Sequence, residues 1–300
     1  MKYRYTLAVL LSGAFWGVIG LFVRSLQELG FNEMQIVLVR VLTSALIMLV
    51  GLLLFKPEHL KIRLRDLWCF LGTGVCSITL FSFCYFHTIA SASLSVASVL
   101  LYTAPIFVTV MSAFLFRERI TSVRVLSLVL AMAGCVLVTG VLFDIPVLSP
   151  SGILIGLGAG FGYALYSIFS RYAFARGYHS MTVSFWTFAI SAIAILPFAK
   201  PGELVASIAV GTFPWVDAIL LAVISTVLPY LLYTYGLTGM TGGRASILAS
   251  TEPVVATLMG VIVFHETMTG WSIVGTVLVL LAVTLPDLLA TVSFTKKTTR

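Results

Sequence analysis

Ser98–Glu118, SVLLYTAPIFVTVMSAFLFRE, returns 148 residues later as Ser246–Glu266, SILASTEPVVATLMGVIVFHE. Aligned without a gap, Leu100 meets Leu248, Thr103 meets Thr251, Pro105 meets Pro253, Thr109 meets Thr257, Met111 meets Met259 and Phe116 meets Phe264. The likeness extends outward. At an offset of 147, Gly13 meets Gly160, Phe22 meets Phe169, Arg24 meets Arg171, Gly30 meets Gly177 and Met34 meets Met181; at 148, Ser77 meets Ser225 and Tyr85 meets Tyr233. A long-period self-match of this kind predicts two copies of one structural unit, here 1-148 and 149-292, followed by a short basic tail, 293-300.

Both stretches are long enough to cross a bilayer, which takes about 20 mostly apolar residues per helix. Apolar runs between short polar or Gly/Pro breaks predict ten such spans, near 6-26, 33-55, 67-89, 93-116, 122-141, 152-172, 181-199, 214-236, 244-264 and 270-290. The expected fold class is an all-α integral membrane protein with ten transmembrane helices arranged as two inverted five-helix repeats. Inversion follows from five being odd, since the second copy must enter the bilayer from the opposite side. With 60% apolar and 10% charged residues, a water-facing globule is excluded. The runs lack the period-two alternation of a membrane β-barrel. A net charge of +7, scattered along the chain, forms no phosphate-tracking stripe, so no nucleic-acid partner is expected. Lys2 and Arg4 ahead of an apolar run resemble a signal peptide, but the run continues to Val23 and reads as a retained first span.

Lys and Arg are hard to translocate in short loops. With a cytoplasmic N-terminus, 15 of the 18 fall on the cytoplasmic side; Arg24, Arg40 and Lys200 are the others. Both termini are therefore expected in the cytoplasm of a multi-pass protein of the plasma or inner membrane. Cys69, Cys76, Cys84 and Cys135 fall inside spans without a C-x-x-C pair and read as small buried thiols.

An inverted pair is the architecture of transporters, because two homologous halves can exchange conformations around one central site. Trp16-Gly17, Arg40-x3-Ser44-Ala45, Thr251-Glu252-Pro253 and Phe264-His265-Glu266 together resemble the ten-helix, EamA-type branch of the drug/metabolite transporter superfamily. The resemblance covers essentially the whole chain. It implies a secondary carrier with a central cavity for metabolites such as amino acids, and it implies export as the direction.

Glu252 is the sharpest candidate for substrate binding. Eight residues beyond Arg244, it lies about 12 Å into the bilayer, where a bare carboxylate is costly and is kept for protons, a cationic group or a wet cavity. Arg40, about 10 Å into its span, is a candidate anchor for a substrate carboxylate or a partner for Glu252. Trp16, Tyr85, Tyr102, Tyr163, Trp186 and Tyr233 fall inside spans rather than at interfacial belts and are candidate pocket walls. Tyr102 shares a helical stripe with Ser98, Pro105 and Thr109, and Tyr233 shares one with Ser225, Thr226, Pro229 and Tyr230. Pro105, Pro253 and Pro229 are candidate hinges, each unable to satisfy the carbonyl four residues earlier. Pro229 aligns with Phe81, so its kink is expected in one copy only. Asp66, Asp217 and Asp287 stand near span ends, where solvation is the expected reading.

Gly13-x3-Gly17, Gly156-x3-Gly160 and Gly158-x3-Gly162 read as helix-packing sites. No Gly-Lys-Ser/Thr follows the second group, so nucleotide hydrolysis has no site; His265-Glu266 lacks the second His of a zinc motif. No metal or other cofactor and no enzymatic activity is expected, since clustered acids, His or Ser near an interface are missing. The expected partners are a small-molecule substrate, the lipid bilayer and protons. The expected function is secondary transport by alternating access, most simply export of an amino acid or related metabolite. The alternative is uptake of a small organic cation such as a quaternary amine, with Glu252 as counter-charge and the aromatic faces as a cage.

Overall fold

Backbone amides inside lipid must be satisfied within their own segment, which leaves these apolar runs no choice but helix. The computed structural model describes residues 2–141, 149–211, 213–265 and 267–298, with side chains between Tyr3 and Pro286. Among the described residues there are helices and connections, and no strand. Eight helical runs among the described residues are long and apolar enough to cross a membrane: α1 (Tyr3–Glu28), α2 (Glu33–Phe55), α3 (Leu64–Ser91), α4 (Leu94–Phe116), α6 (Pro150–Phe174), α7 (Ser180–Phe198), α8 (Trp215–Leu237) and α9 (Gly242–Phe264). Two shorter apolar helices, α5 (Ser122–Val138) and α10 (Gly270–Pro286), close each set of five.

Contacts at the two ends of the bundle fix the threading. At one end Tyr5 of α1 meets Tyr235 of α8 with ring centroids 5.1 Å apart, and Arg244 of α9 donates to Thr6 of α1. Arg63, before α3, donates to the carbonyl of Arg176, after α6, and Arg124 of α5 donates to Thr241 at the start of α9. These residues make a basic face. At the far face Ser25 of α1 donates to Asp217 of α8, and Gln35 of α2 donates to Glu203 in the short helix Pro201–Ala209. Helix α1 therefore begins at the basic face, whereas α6, whose Arg171 reaches Glu118 at that face, begins at the far one. The second copy runs opposite to the first.

Matching positions adopt matching backbone. Gly30 and Gly177 take φ of 87° and 84° where α1 and α6 end, a conformation that favours glycine. Arg117 and His265 close α4 and α9 in the left-handed region, at φ 54° and 55°. Each of these two helices is also broken at mid-length: α4 into Leu94–Leu101 and Ala104–Phe116, α9 into Gly242–Ala249 and Glu252–Phe264. Pro105 and Pro253 each stand second in the new segment, where the missing N–H costs nothing. The prolines thus restart helices rather than bend continuous ones.

The breaks are held by glycines of the other copy. A Cβ on Gly13 would press on Thr251 Oγ1 and lie 3.0 Å from the Ala249 carbonyl oxygen; one on Gly160 would press on Thr103 Oγ1 and lie 2.7 Å from that of Leu100. The proline-freed carbonyl of Leu101 stands 3.2 Å from that same point. These glycines are packing sites, as the sequence suggests.

Helices α3 and α8 both widen into a π-helical turn, at Gly72–Thr79 and Val223–Val227. Thr79 donates to the Gly74 carbonyl and Thr226 to that of Leu221, five residues back in each case. The asymmetry expected from Pro229 is not seen, because the helix bearing Phe81 widens at the same place without a proline. Two further expectations are corrected. Cys76 is exposed on the outside of the bundle rather than buried, while Cys69 and Cys135 are buried. Asp66 is not solvated: it is 4% exposed, paired with Arg63 and Arg176, and accepts a 2.8 Å hydrogen bond from Tyr178. Asp287 lies outside the residues whose side chains are described.

Candidate functional site

The two breaks lie across the centre of the bundle, and a cavity of about 450 Å³ begins there. Its floor is Trp16 of α1, Tyr102 of α4, Tyr163 of α6, Tyr230 of α8 and Glu252 of α9. It rises past Arg40 and Tyr85 to Arg24, Gln27 and Phe264 at the far face, where Arg24 and Gln27 are exposed. Toward the basic face the way is filled. Trp16 lies 5.2 Å from Tyr230 and 5.3 Å from Tyr233, and Tyr166 and Phe188 pack on Tyr230 at 4.9 and 5.2 Å between ring centroids. The chamber is open on one side only.

Below Arg24 at the mouth, two charges face the depth of this space. Glu252 is the first residue of the second segment of α9, so its carboxylate sits at a helix N-terminus whose unpaired N–H groups favour negative charge. Arg40, on α2, is 9% exposed, and its Nε makes no hydrogen bond among the described residues. The two line the same wall without forming a direct ion pair. Such an arrangement leaves both able to engage a solute that carries opposite charges, and a charge at this depth is costly.

Six of the eight residues singled out from sequence line the cavity: Glu252, Arg40, Trp16, Tyr85, Tyr102 and Tyr163. Tyr85 reaches Ser98 at 3.3 Å, another lining residue on the stripe of Tyr102. Trp16 and Tyr163 occupy the same place in the two copies and meet edge to face at 6.0 Å. Tyr233 is behind the wall, 1% exposed, 2.8 Å from Ser167 through its hydroxyl, so its role is to back Trp16. Trp186 is remote from the cavity; its indole donates to the Leu60 carbonyl and ties α7 to the loop before α3. None of Pro105, Pro253 and Pro229 lines the cavity; the first two place Tyr102 and Glu252 there by restarting their helices. Sequence reading did not single out Phe81 or Arg24 as lining residues, and it named Tyr230 only as part of the stripe of Tyr233; of those two tyrosines it is Tyr230 that reaches the cavity.

The EamA-like transporter family matches this chain twice, over residues 4–140 and 150–285. The chain belongs to that family. An uncharacterized transporter of Archaeoglobus fulgidus is 30% identical over 278 residues, 92% of this chain and 93% of its own. The threonine/homoserine exporter RhtA of Escherichia coli K12 is 29% identical over 232 residues, 77% of this chain and 75% of that one. A solved crystal structure superposes with a TM-score of 0.79, covering 97% of this chain and 99% of its own, at 19% identity, a likeness of fold. This EamA protein is accordingly a multi-pass membrane transporter and not an enzyme.

Proposed function

We propose that this EamA transporter is a secondary carrier that exports a small amino acid or related metabolite by alternating access, with protons as the coupling ion. One observation carries the reading: a chamber open to one face holds two charges of opposite sign, Arg40 from the first copy and Glu252 from the second. An amino-acid zwitterion offers a carboxylate for bidentate contact with Arg40 and an ammonium for Glu252. Between loads Glu252 exchanges the ammonium for a proton, which makes flux depend on the pH gradient. Trp16, Tyr102 and Tyr163 wall the site, and the halves 1-148 and 149-292 move about it. The likeness to RhtA, by its name an amino-acid exporter, supports the same cargo. The Lys and Arg count supports a cytoplasmic basic face and cytoplasmic termini, a reading in which the chamber opens outward.

A second reading, uptake of an organic cation, draws on the rings of Trp16, Tyr163 and Tyr230 around Glu252. The test is counterflow of labelled threonine, homoserine and choline in liposomes carrying the full chain, with and without a pH gradient. The amino-acid reading expects zwitterion exchange that falls on Arg40→Gln. Choline exchange untouched by Arg40→Gln and abolished by Glu252→Gln selects the cation reading. No exchange of any of the three overturns both.

A further inference from the structure

Trp16 and Tyr163 are twins that meet in the open cavity, whereas other lining residues have their twins buried on the sealed side. Val23, Val37, Ser98 and Gly260 line the cavity. At the offsets of 147 and 148 their twins are Ser170, Ser184, Ser246 and Ser112. All four are buried, at 3% exposure or less, between the cavity floor and the basic face. Among the described residues the Ser112 hydroxyl has no hydrogen-bond partner. A packed helix interface gains nothing from an unpaired hydroxyl, whereas a wall that is periodically wet does.

The mouth of this sealed side is also the twin of the open mouth. Arg24 lies over the ring of Phe264 at 4.1 Å at the far face, and Arg171 lies over Phe116 at 4.1 Å at the basic face. Arg24 and Phe264 are exposed and border the cavity. Arg171 is paired with Glu118, which is 7% exposed and also pairs with Arg124 at 3.2 Å, and Arg124 holds Thr241 at the start of α9. One carboxylate thereby ties α4, α5, α6 and α9 together.

From these two observations we propose that the row Ser112, Ser170, Ser184 and Ser246 is a second, hydroxyl-lined substrate path to the basic face, latched shut here by Glu118 with Arg171 and Arg124. Releasing the latch exposes that row while the twins at the far face close. The path suits a polar solute that trades water for hydroxyls along its length. The assignment rests on the transporter reading for its purpose and on geometry for its place.

The test is thiol labelling by a membrane-impermeant reagent, on full chain in nanodiscs whose four native cysteines are replaced by alanine. Ser112→Cys reports the sealed path and Ser98→Cys the open chamber. Glu118→Gln and Arg171→Gln each break the latch; Arg124→Gln, which leaves one ion pair, serves if either fails to fold by thermal unfolding. The expected result is Ser112→Cys labelling about tenfold faster in a latch variant, with Ser98→Cys slower in the same variant, since losing a part-buried charge pair shifts a two-state balance by at least that factor. An unchanged rate at Ser112→Cys, or a rise there without a fall at Ser98→Cys, overturns the proposal. The labelling needs no cargo. Reciprocal labelling without amino-acid flux sinks the cargo reading and leaves the path standing; flux without reciprocity does the reverse.

Discussion

Ala104 and Glu252 stand at the same place in the two copies, each the first residue of a helix restarted by a proline, yet only one faces the cavity. Ala104 is 2% exposed and packs with Val108 and Ala164. The second charge repeats the pattern in reverse: Arg40 lines the chamber, while its twin Thr187 is buried, donates to the Val183 carbonyl and lies 2.6 Å from the Thr73 hydroxyl. The duplication therefore supplies what both halves need, a break, a π turn and a glycine seat. The binding chemistry lies where the copies have diverged, and a structure with two identical halves would have no reason to hold a charged solute in one orientation.

The largest expected effect comes from exchanging those two positions. Glu252→Gln should lower flux by about 10–100-fold, the worth of a hydrogen bond to a charged group, and flatten its dependence on pH. Adding Ala104→Glu to that variant should not restore transport, because the carboxylate would enter a packed apolar contact, and thermal unfolding should show a loss of about 2–5 kcal/mol. Proteoliposome flux across a pH series checks both. Rescue by the Ala104→Glu/Glu252→Gln pair would falsify the claim that the copies differ in which face of the break is wet.

The glycine seats should respond alike, though unequally. Gly160→Ala and Gly13→Ala each drive a methyl into a threonine hydroxyl and a carbonyl, at a cost of about 1–3 kcal/mol. Trimming the hydroxyl with Thr251→Ala should recover part of the Gly13→Ala loss, where the carbonyl oxygen stands 3.0 Å away. Thr103→Ala should recover less for Gly160→Ala, whose nearest carbonyl oxygen is at 2.7 Å. Equal recovery in the two double variants, measured by denaturation in one detergent, would show that the seats are not set by backbone approach.

Much of this layout was legible in the sequence because lipid enforces it. Span length, oddness of the repeat and the proline pair follow from residues alone, and Glu252 announced itself by the cost of its depth. What stayed hidden depends on packing between helices. Tyr233 and Tyr230 share one inward stripe of the regular segment beyond the π turn, yet Tyr230 lines the chamber while Trp16 packs on Tyr233 at 5.3 Å. Residue type likewise could not separate Trp186, bonded to Leu60, from Trp16, because both are amphipathic rings inside their spans.

That pair of tyrosine positions gives a smaller effect. Tyr233 and Tyr85 are twins, the one 2.8 Å from Ser167 in the core and the other 3.3 Å from Ser98 at the cavity. Tyr233→Phe should cost about 1 kcal/mol of stability by leaving Ser167 unpaired, with cargo affinity unchanged. Tyr85→Phe should do the opposite, shifting affinity at constant unfolding midpoint. Identical phenotypes would erase the distinction between wall and backing.

The smallest effect separates the copies by acid. Asn32 caps α2 and His179 caps α7 at the same place in each repeat; Asn32 accepts from the Gln35 amide at 3.0 Å, and His179 accepts from Met181 through Nδ1 at 3.3 Å. An accepting Nδ1 carries no proton. Burial, and then the neighbouring His59 and Lys56, hold the His179 imidazole below its ordinary value of 6.5. The unfolded segment thus takes up its proton first as pH falls, so the cap's contribution is whole above about 6.5 and wanes below it, while Asn32 does not titrate. Replacing either cap by Ala should cost about 1 kcal/mol at Asn32 and a few tenths at the longer His179 contact. Hydrogen-exchange protection at Met181–Val183 should fall between pH 7.5 and 5.5 while that at Met34–Ile36 holds. Equal loss at both starts would mean that acid loosens the bundle as a whole and that this difference between the copies has no energetic weight.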